Sequence, residues 1–182
     1  YQNMEFETTE SLGDLMAFVY ENGYMPEARR AREKDLPAQL QKELDLEAFA
    51  HKKTQELSKG QLQRGIVALS LLYGSRLVIM DEAVFAMEEP QKDRTLAFSR
   101  DFCRSHQMSM YYTAHNLDLT EKYADTMLLF RKYGTPLLGP VADVCTRENL
   151  EDAYRVPMDA LYQRDRLYRE MLVNLNADKE GD

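Results

Sequence analysis

Two adjacent carboxylates, Asp81 and Glu82, stand directly after the apolar run Leu77-Val78-Ile79-Met80, and this junction is where the sequence could do chemistry. The apolar run reads as a buried strand, and in an open parallel sheet ligands bind in the crevice beyond the carboxyl ends of the strands. An aspartate there can hold Mg²⁺ through its water shell, and a glutamate beside it can take a proton from water attacking a phosphate. Ordinary strand-to-loop boundaries carry the same pattern, so its meaning rests on what else the chain contains.

A second stretch is Leu57-Ser58-Lys59-Gly60-Gln61-Leu62-Gln63-Arg64. Ser58 and Gln61 fit a capping box, with serine at the N-cap and glutamine three residues on. The free N–H groups of such a helix end favour anions, and Gly60 lets a phosphate approach the backbone with no β-carbon in the way. An ordinary capped helix has the same signature; it is predicted from Gln61 to about Tyr73, with Leu62, Ile66, Leu69 and Leu72 facing the core. A third candidate is His115, which follows the strand-like run from Met108 to Thr113 and precedes Asn116-Leu117-Asp118-Leu119. A lone histidine is ordinarily a surface or core residue, and only its register after a strand draws attention to it.

In order and spacing these three stretches resemble the ATP-binding subunits of ABC transporters. LSKGQLQR looks like the family's signature motif, LVIMDE like its Walker B strand, and His115 like its switch histidine. The resemblance implies an α/β fold: an ABC-type nucleotide-binding domain, P-loop NTPase-like, with a mostly parallel sheet flanked by helices and a helical subdomain. It implies ATP and Mg²⁺ as ligands. Glu82 would be the general base, His115 would contact the γ-phosphate, and Asp81 with Gln2, which looks like the Q-loop glutamine, would complete the Mg²⁺ shell. Ser58, Lys59, Gly60 and Gln61 would face ATP held by a second ATP-binding subunit, most simply in a homodimer. Lys59 stands in place of the family's commoner glycine, and Ala83 and Glu88 depart from its D-loop. The stretch from Gly139 to Met158 resembles the end of subunits importing iron chelates, haem or cobalamin, with Arg155 where glycine is usual.

The partners implied are integral membrane permease subunits, with the chain cytoplasmic and peripheral on the inner face of the cell membrane. Residues 1–182 would be a partial ABC ATPase domain: a helical subdomain over about 7–56, a core over about 57–158 and a terminal helix and tail over 159–182. The family's phosphate loop, G-x-x-x-x-G-K-[ST], is absent from the sequence. The expectation is therefore the later portion of a cassette, lacking Walker A and inactive alone, with the strand feeding that loop missing from between the Walker B strand and the strand before His115. Alternative readings are a soluble cassette ATPase uncoupled from transport, and a non-catalytic remnant acting as an interaction protein.

The elements that must position these residues are legible from periodicity. A helix is predicted from about Glu10 to Glu21 with Thr9 as its cap, and another from about Pro37 to Phe49 carrying Leu36, Leu40, Leu44 and Phe49 on one side. Pro90 to about Ser105 reads as a helix and Met108 to Thr113 as a strand. Met127–Phe130 and Leu137-Leu138 read as a hairpin joined by Lys132-Tyr133-Gly134-Thr135-Pro136. A terminal helix from Asp159 would carry Leu161, Tyr168, Met171, Leu172 and Leu175.

Composition bounds the rest. A chain of 182 residues with 44% hydrophobic content suits one domain with a sizeable core. A net charge of −8 gives no electrostatic footprint for nucleic acid. Cys103 and Cys145 lack metal-ligand spacing and read as free thiols of a reducing compartment. No apolar run approaches the length of a membrane span.

Overall fold

The computed structural model describes residues 8–114 and 116–163, so Gln2, His115 and the expected helical positions Tyr168, Met171, Leu172 and Leu175 lie outside it. The chain divides into two compact units, Tyr1–Ala114 and His115–Asp182. The first contains α1 (Leu12–Asn22), α2 (Glu27–Arg32), α3 (Leu36–Glu43), α4 (Lys59–Tyr73), β1 (Leu77–Met80), α5 (Glu89–Ser105) and β2 (Ser109–Tyr112), with 3₁₀ turns at Glu47–Phe49 and Thr54–Glu56.

Several boundaries differ from the sequence reading for identifiable reasons. The cap of α1 is Ser11, whose Oγ accepts the Asp14 N–H at 3.1 Å, and not Thr9. The amides of Leu12 and Gly13 donate instead to the carbonyls of Lys52 and Ala50, so a distant segment satisfies the helix end. The predicted helix from Pro37 to Phe49 stops at Glu43, and Asp45 turns into a left-handed conformation with φ 51°. Arg64 imposes that break, because its Nη1 donates to the carbonyls of Leu44 at 3.1 Å and Asp45 at 3.2 Å. Helix α2 has no buried residue and was not expected; the Tyr20 hydroxyl secures it by donating to the carbonyls of Arg30 and Glu33.

Helix α4 starts two residues earlier than predicted and turns a different face inward. Its buried residues are Arg64, Gly65, Val67, Ala68, Leu71 and Leu72, whereas Leu62, Ile66 and Leu69 are only half-buried. Close packing against α1 selects this face: a β-carbon on Gly65 would stand 2.9 Å from Leu12 Cδ1. Ile66, Leu69 and Tyr73 border an open groove with Leu77 and Ile79. Gly74 ends the helix at φ 79°, a conformation glycine adopts without steric cost.

The sheet overturns one expectation outright. β1 and β2 are direct parallel neighbours, pairing Leu77 with Ser109 through Met80 with Tyr112, so no strand lies between them. The Ser109 N–H donates to Arg76 O at 2.8 Å and the Thr113 N–H to Met80 O at 3.1 Å, extending the ladder beyond both strands. The facing edges are thus spent on each other. Parallel pairing requires a long crossover, which α5 supplies. Lys92, Thr95, Leu96, Ser99, Phe102 and Cys103 recur on its buried side at helical spacing. Val78 and Met80 are buried, while Leu77, Ile79 and Tyr111 on the other face are 47%, 76% and 63% exposed.

The second unit contains α6 (Leu117–Tyr123), β3 (Thr126–Leu129), β4 (Leu137–Pro140), α7 (Val141–Val144) and α8 (Arg147–Tyr154). β3 and β4 form the expected antiparallel hairpin, with Leu128 opposite Leu138 and Gly134 at φ 90° in the connection. Leu117, Leu129, Val144, Leu150 and Leu161 make its core. Thr146 caps α8 by accepting the Asn149 N–H, and Arg155 ends it at φ 58°. Residues 158–163 are helical. Both cysteines are free. Among the described residues no helix is long and apolar enough to cross a membrane.

Candidate active site

The parallel register sets the geometry at the end of β1. Because Met80 pairs with Tyr112, the next residues along, Asp81 and Thr113, also stand side by side. The Thr113 hydroxyl donates to Asp81 Oδ1 at 2.5 Å and accepts the Glu82 N–H at 2.8 Å. Asp81 is exposed and Glu82 half-buried, so both carboxylates emerge at the carboxyl end of the sheet.

Beyond them the chain folds into a tight loop. Glu82 has φ 48°, a left-handed conformation unusual for a residue with a side chain. The Phe85 N–H donates to Glu82 O at 3.1 Å and the Met87 N–H to Val84 O at 3.2 Å. Ala83, Val84 and Met87 of this loop are buried.

The start of α4 packs against the same loop. Gln63 Nε2 donates to Glu82 O at 2.5 Å, and Gln63 Oε1 accepts the Ala86 N–H at 2.7 Å. Gly60 comes so close that a β-carbon on it would stand 2.8 Å from Ala86 O. One turn earlier the predicted capping box is fully formed. Ser58 Oγ accepts the Gln61 N–H at 3.3 Å, and Gln61 Oε1 accepts the Ser58 N–H at 3.0 Å. Ser58 and Lys59 are exposed.

Arg64 closes the motif from inside the fold. Burial lowers its pKa from the usual guanidinium range, against the opposing influence of Asp45 and Glu88. Its Nη1 lies 3.8 Å from Asp45 Oδ2, and Arg94 approaches Asp45 Oδ1 at 2.7 Å. Arg64 therefore anchors the helical segment at Leu44 and Asp45, and its charge also acts on Glu88 at the end of the loop.

Of the residues the sequence singled out, Asp81 and Glu82 meet at the end of β1, and Ser58, Lys59, Gly60 and Gln61 form the start of the helix packed on their loop. Gln2 and His115 lie outside the described residues. Asn116, directly after His115, caps α6 by accepting the Leu119 N–H at 3.0 Å. The sequence reading missed Thr113 and gave Gln63 no role, since their partners lie 19 to 32 residues away. The one local hint was a hydroxyl-bearing residue at the end of a predicted strand.

No protein-family profile matches the chain. Curated relatives do. The manganese transport system ATP-binding protein MntB of Halalkalibacterium halodurans is 28% identical over 154 residues, 84% of this chain and 60% of MntB. The molybdenum import ATP-binding protein ModC of Albidiferax ferrireducens is 30% identical over 114 residues, 61% of this chain and 31% of ModC. Among solved structures, an inward-facing metal-chelate type ABC transporter superposes with a TM-score of 0.68 at 22% identity, covering 86% of this chain and 62% of that one. The fold is that of an ABC nucleotide-binding domain. The chain is related to the ATP-binding subunits of ABC transporters, and it spans between 30% and 60% of the length of the curated relatives it matches.

Proposed function

We propose that this chain is the later portion of an ATP-hydrolysing subunit that drives import through membrane permease partners. The observation that carries the reading is the strand-end pair: Asp81 and Glu82 at the carboxyl end of β1, joined through Thr113 to the neighbouring parallel strand. The relatives, named for manganese transport and molybdenum import, support the transport side.

In this reading Glu82 takes the proton from a water attacking the γ-phosphate, because a carboxylate at a strand end faces the crevice where phosphates bind. Asp81 suits Mg²⁺: it is an exposed, hard oxygen donor, and the hydroxyl it accepts from at Thr113 is neutral. When bound, Mg²⁺ neutralises charge on the phosphate oxygens. Gln2 would join that shell and His115 would contact the γ-phosphate. Ser58, Lys59, Gly60 and Gln61 sit at an exposed, capped helix end, which suits them to an anion presented by a second ATP-binding subunit. The subunit would work in the cytoplasm, peripheral to the inner face of the membrane and held there by its permease partners.

The sequence holds no Gly-rich phosphate loop, so the test uses the complete subunit. There Glu82→Gln should keep Mg-ATP binding and trap an ATP-bound dimer while lowering turnover by roughly two to four orders of magnitude. Near-normal hydrolysis would remove Glu82 as the base and make His115 the first candidate.

A further inference from the structure

We propose that Gln63 and Thr113 are positioning residues that clamp the backbone of Glu82 from both sides and so fix the direction in which its carboxylate leaves the loop. The kinetic part of this inference rests on the hydrolysis proposed above; the clamp itself rests on geometry alone.

Glu82 adopts φ 48°, a region that side-chain-bearing residues avoid because the β-carbon crowds the following carbonyl. Something must hold it there. Its N–H donates to the Thr113 hydroxyl at 2.8 Å, and its carbonyl accepts from the Gln63 amide at 2.5 Å. The two side chains come from different elements: Gln63 from α4, and Thr113 from the residue after β2. Rotating Glu82 into an ordinary backbone basin would redirect its N–H and C=O together, and so would break both bonds.

Each clamp has the chemistry its place requires. A primary amide offers an NH₂ donor group and a carbonyl acceptor side by side, and Gln63 uses both, giving to Glu82 O and taking from the Ala86 N–H at 2.7 Å. It thereby pins the loop at its first and fifth residues, counted from Glu82. At Thr113 the hydroxyl proton is directed to Asp81 Oδ1, which turns a lone pair toward the Glu82 N–H. The hydrogen bonds therefore run with one polarity, from the Glu82 N–H through the Thr113 hydroxyl to Asp81 Oδ1. A general base gains from being held before the substrate arrives, since small misplacements of a reacting group cost rate steeply.

Four substitutions test the clamp: Thr113→Val and Gln63→Leu remove it, Thr113→Ser keeps the hydroxyl, and Gln63→Glu keeps an acceptor for Ala86 but loses the donor to Glu82. In the 182-residue chain, amide hydrogen exchange should quicken about tenfold at Glu82 in Thr113→Val and at Ala86 in Gln63→Leu, the scale of one hydrogen bond. Thr113→Ser should stay close to the parent at Glu82. In the complete subunit, Thr113→Val and Gln63→Glu should lower kcat by roughly ten- to a hundredfold with KM for ATP within about twofold, and Thr113→Ser should recover most of the loss.

Unchanged exchange at both amides would overturn the clamp. Faster exchange with unchanged kcat, or a rise in KM alone, would overturn its role in positioning the base. If the parent subunit shows no hydrolysis, the proposed function fails, and exchange at Glu82 and Ala86 still decides whether the clamp exists. Thr113→Ser and Gln63→Glu are changes small enough to fold even where the larger ones do not.

Discussion

The carbonyl oxygen of Ala86 stands 2.8 Å from where a β-carbon on Gly60 would be, closer than real β-carbons approach. The absence of a side chain at Gly60 therefore has a cause inside the chain itself, independent of the phosphate contact proposed for it. Because the contact is with backbone, no rotamer change can relieve it. Gly60→Ala should lower stability by about 1–3 kcal/mol, the scale of overpacking a close contact. Urea denaturation measures this, and amide exchange at Ala86 and Met87 should quicken in parallel. Wild-type stability would mean that the loop shifts aside without cost.

Ser58 combines a cap with an exposed position. Ser58→Ala should cost about 1 kcal/mol through loss of the bond to the Gln61 N–H. In the complete subunit Ser58→Arg should also block a phosphate presented in trans. A dimer pairing this variant with a subunit defective in its own phosphate loop keeps one site intact in both halves. It should retain the ATP-bound dimer that the Ser58→Arg homodimer loses. Equal loss in both would leave Ser58 as a cap only.

Arg155 ends α8 in a left-handed conformation, where glycine is free of steric cost. Its guanidinium reaches Asp152 Oδ1 at 3.1 Å, but both side chains are substantially exposed and such pairs contribute little. Arg155→Gly should therefore raise stability by about 0.5–1 kcal/mol, the relief of the left-handed strain less glycine's entropic penalty. A lower denaturation midpoint would show that the contacts of Arg155 with Asp152 and the Tyr133 ring outweigh that strain.

The Cys145 thiol is pushed up to about 12, first by burial and then by its hydrogen bond and proximity to the Glu121 carboxylate, from an ordinary value of 9.0. The folded chain holds this proton more tightly than the unfolded chain does. The resulting stability is fully present below pH 9.0 and is lost as pH rises toward 12. Denaturation midpoints should fall more steeply above pH 9.0 in the parent than in Cys145→Ala. At pH 8 the native thiol should react slowly with a disulfide reagent and rapidly once unfolded; equal rates would contradict the shift.

What the sequence determined by itself is what depends on near neighbours. The capping box at Ser58 and Gln61 spans three residues, the strand Leu77–Met80 is an uninterrupted apolar run, and the β3–β4 hairpin follows from two short runs about a turn. The motifs were legible for the same reason, since their order survives in one dimension. Tertiary structure decided the rest. That β1 and β2 lie side by side depends on how α5 crosses over, and the buried face of α4 depends on how closely α1 approaches Gly65. The left-handed Glu82 is held by Thr113 and Gln63, whose partners are remote in sequence, so no local pattern could announce it. A side chain that bonds a distant backbone group leaves no periodicity behind. Only the folded chain brings its partner within reach.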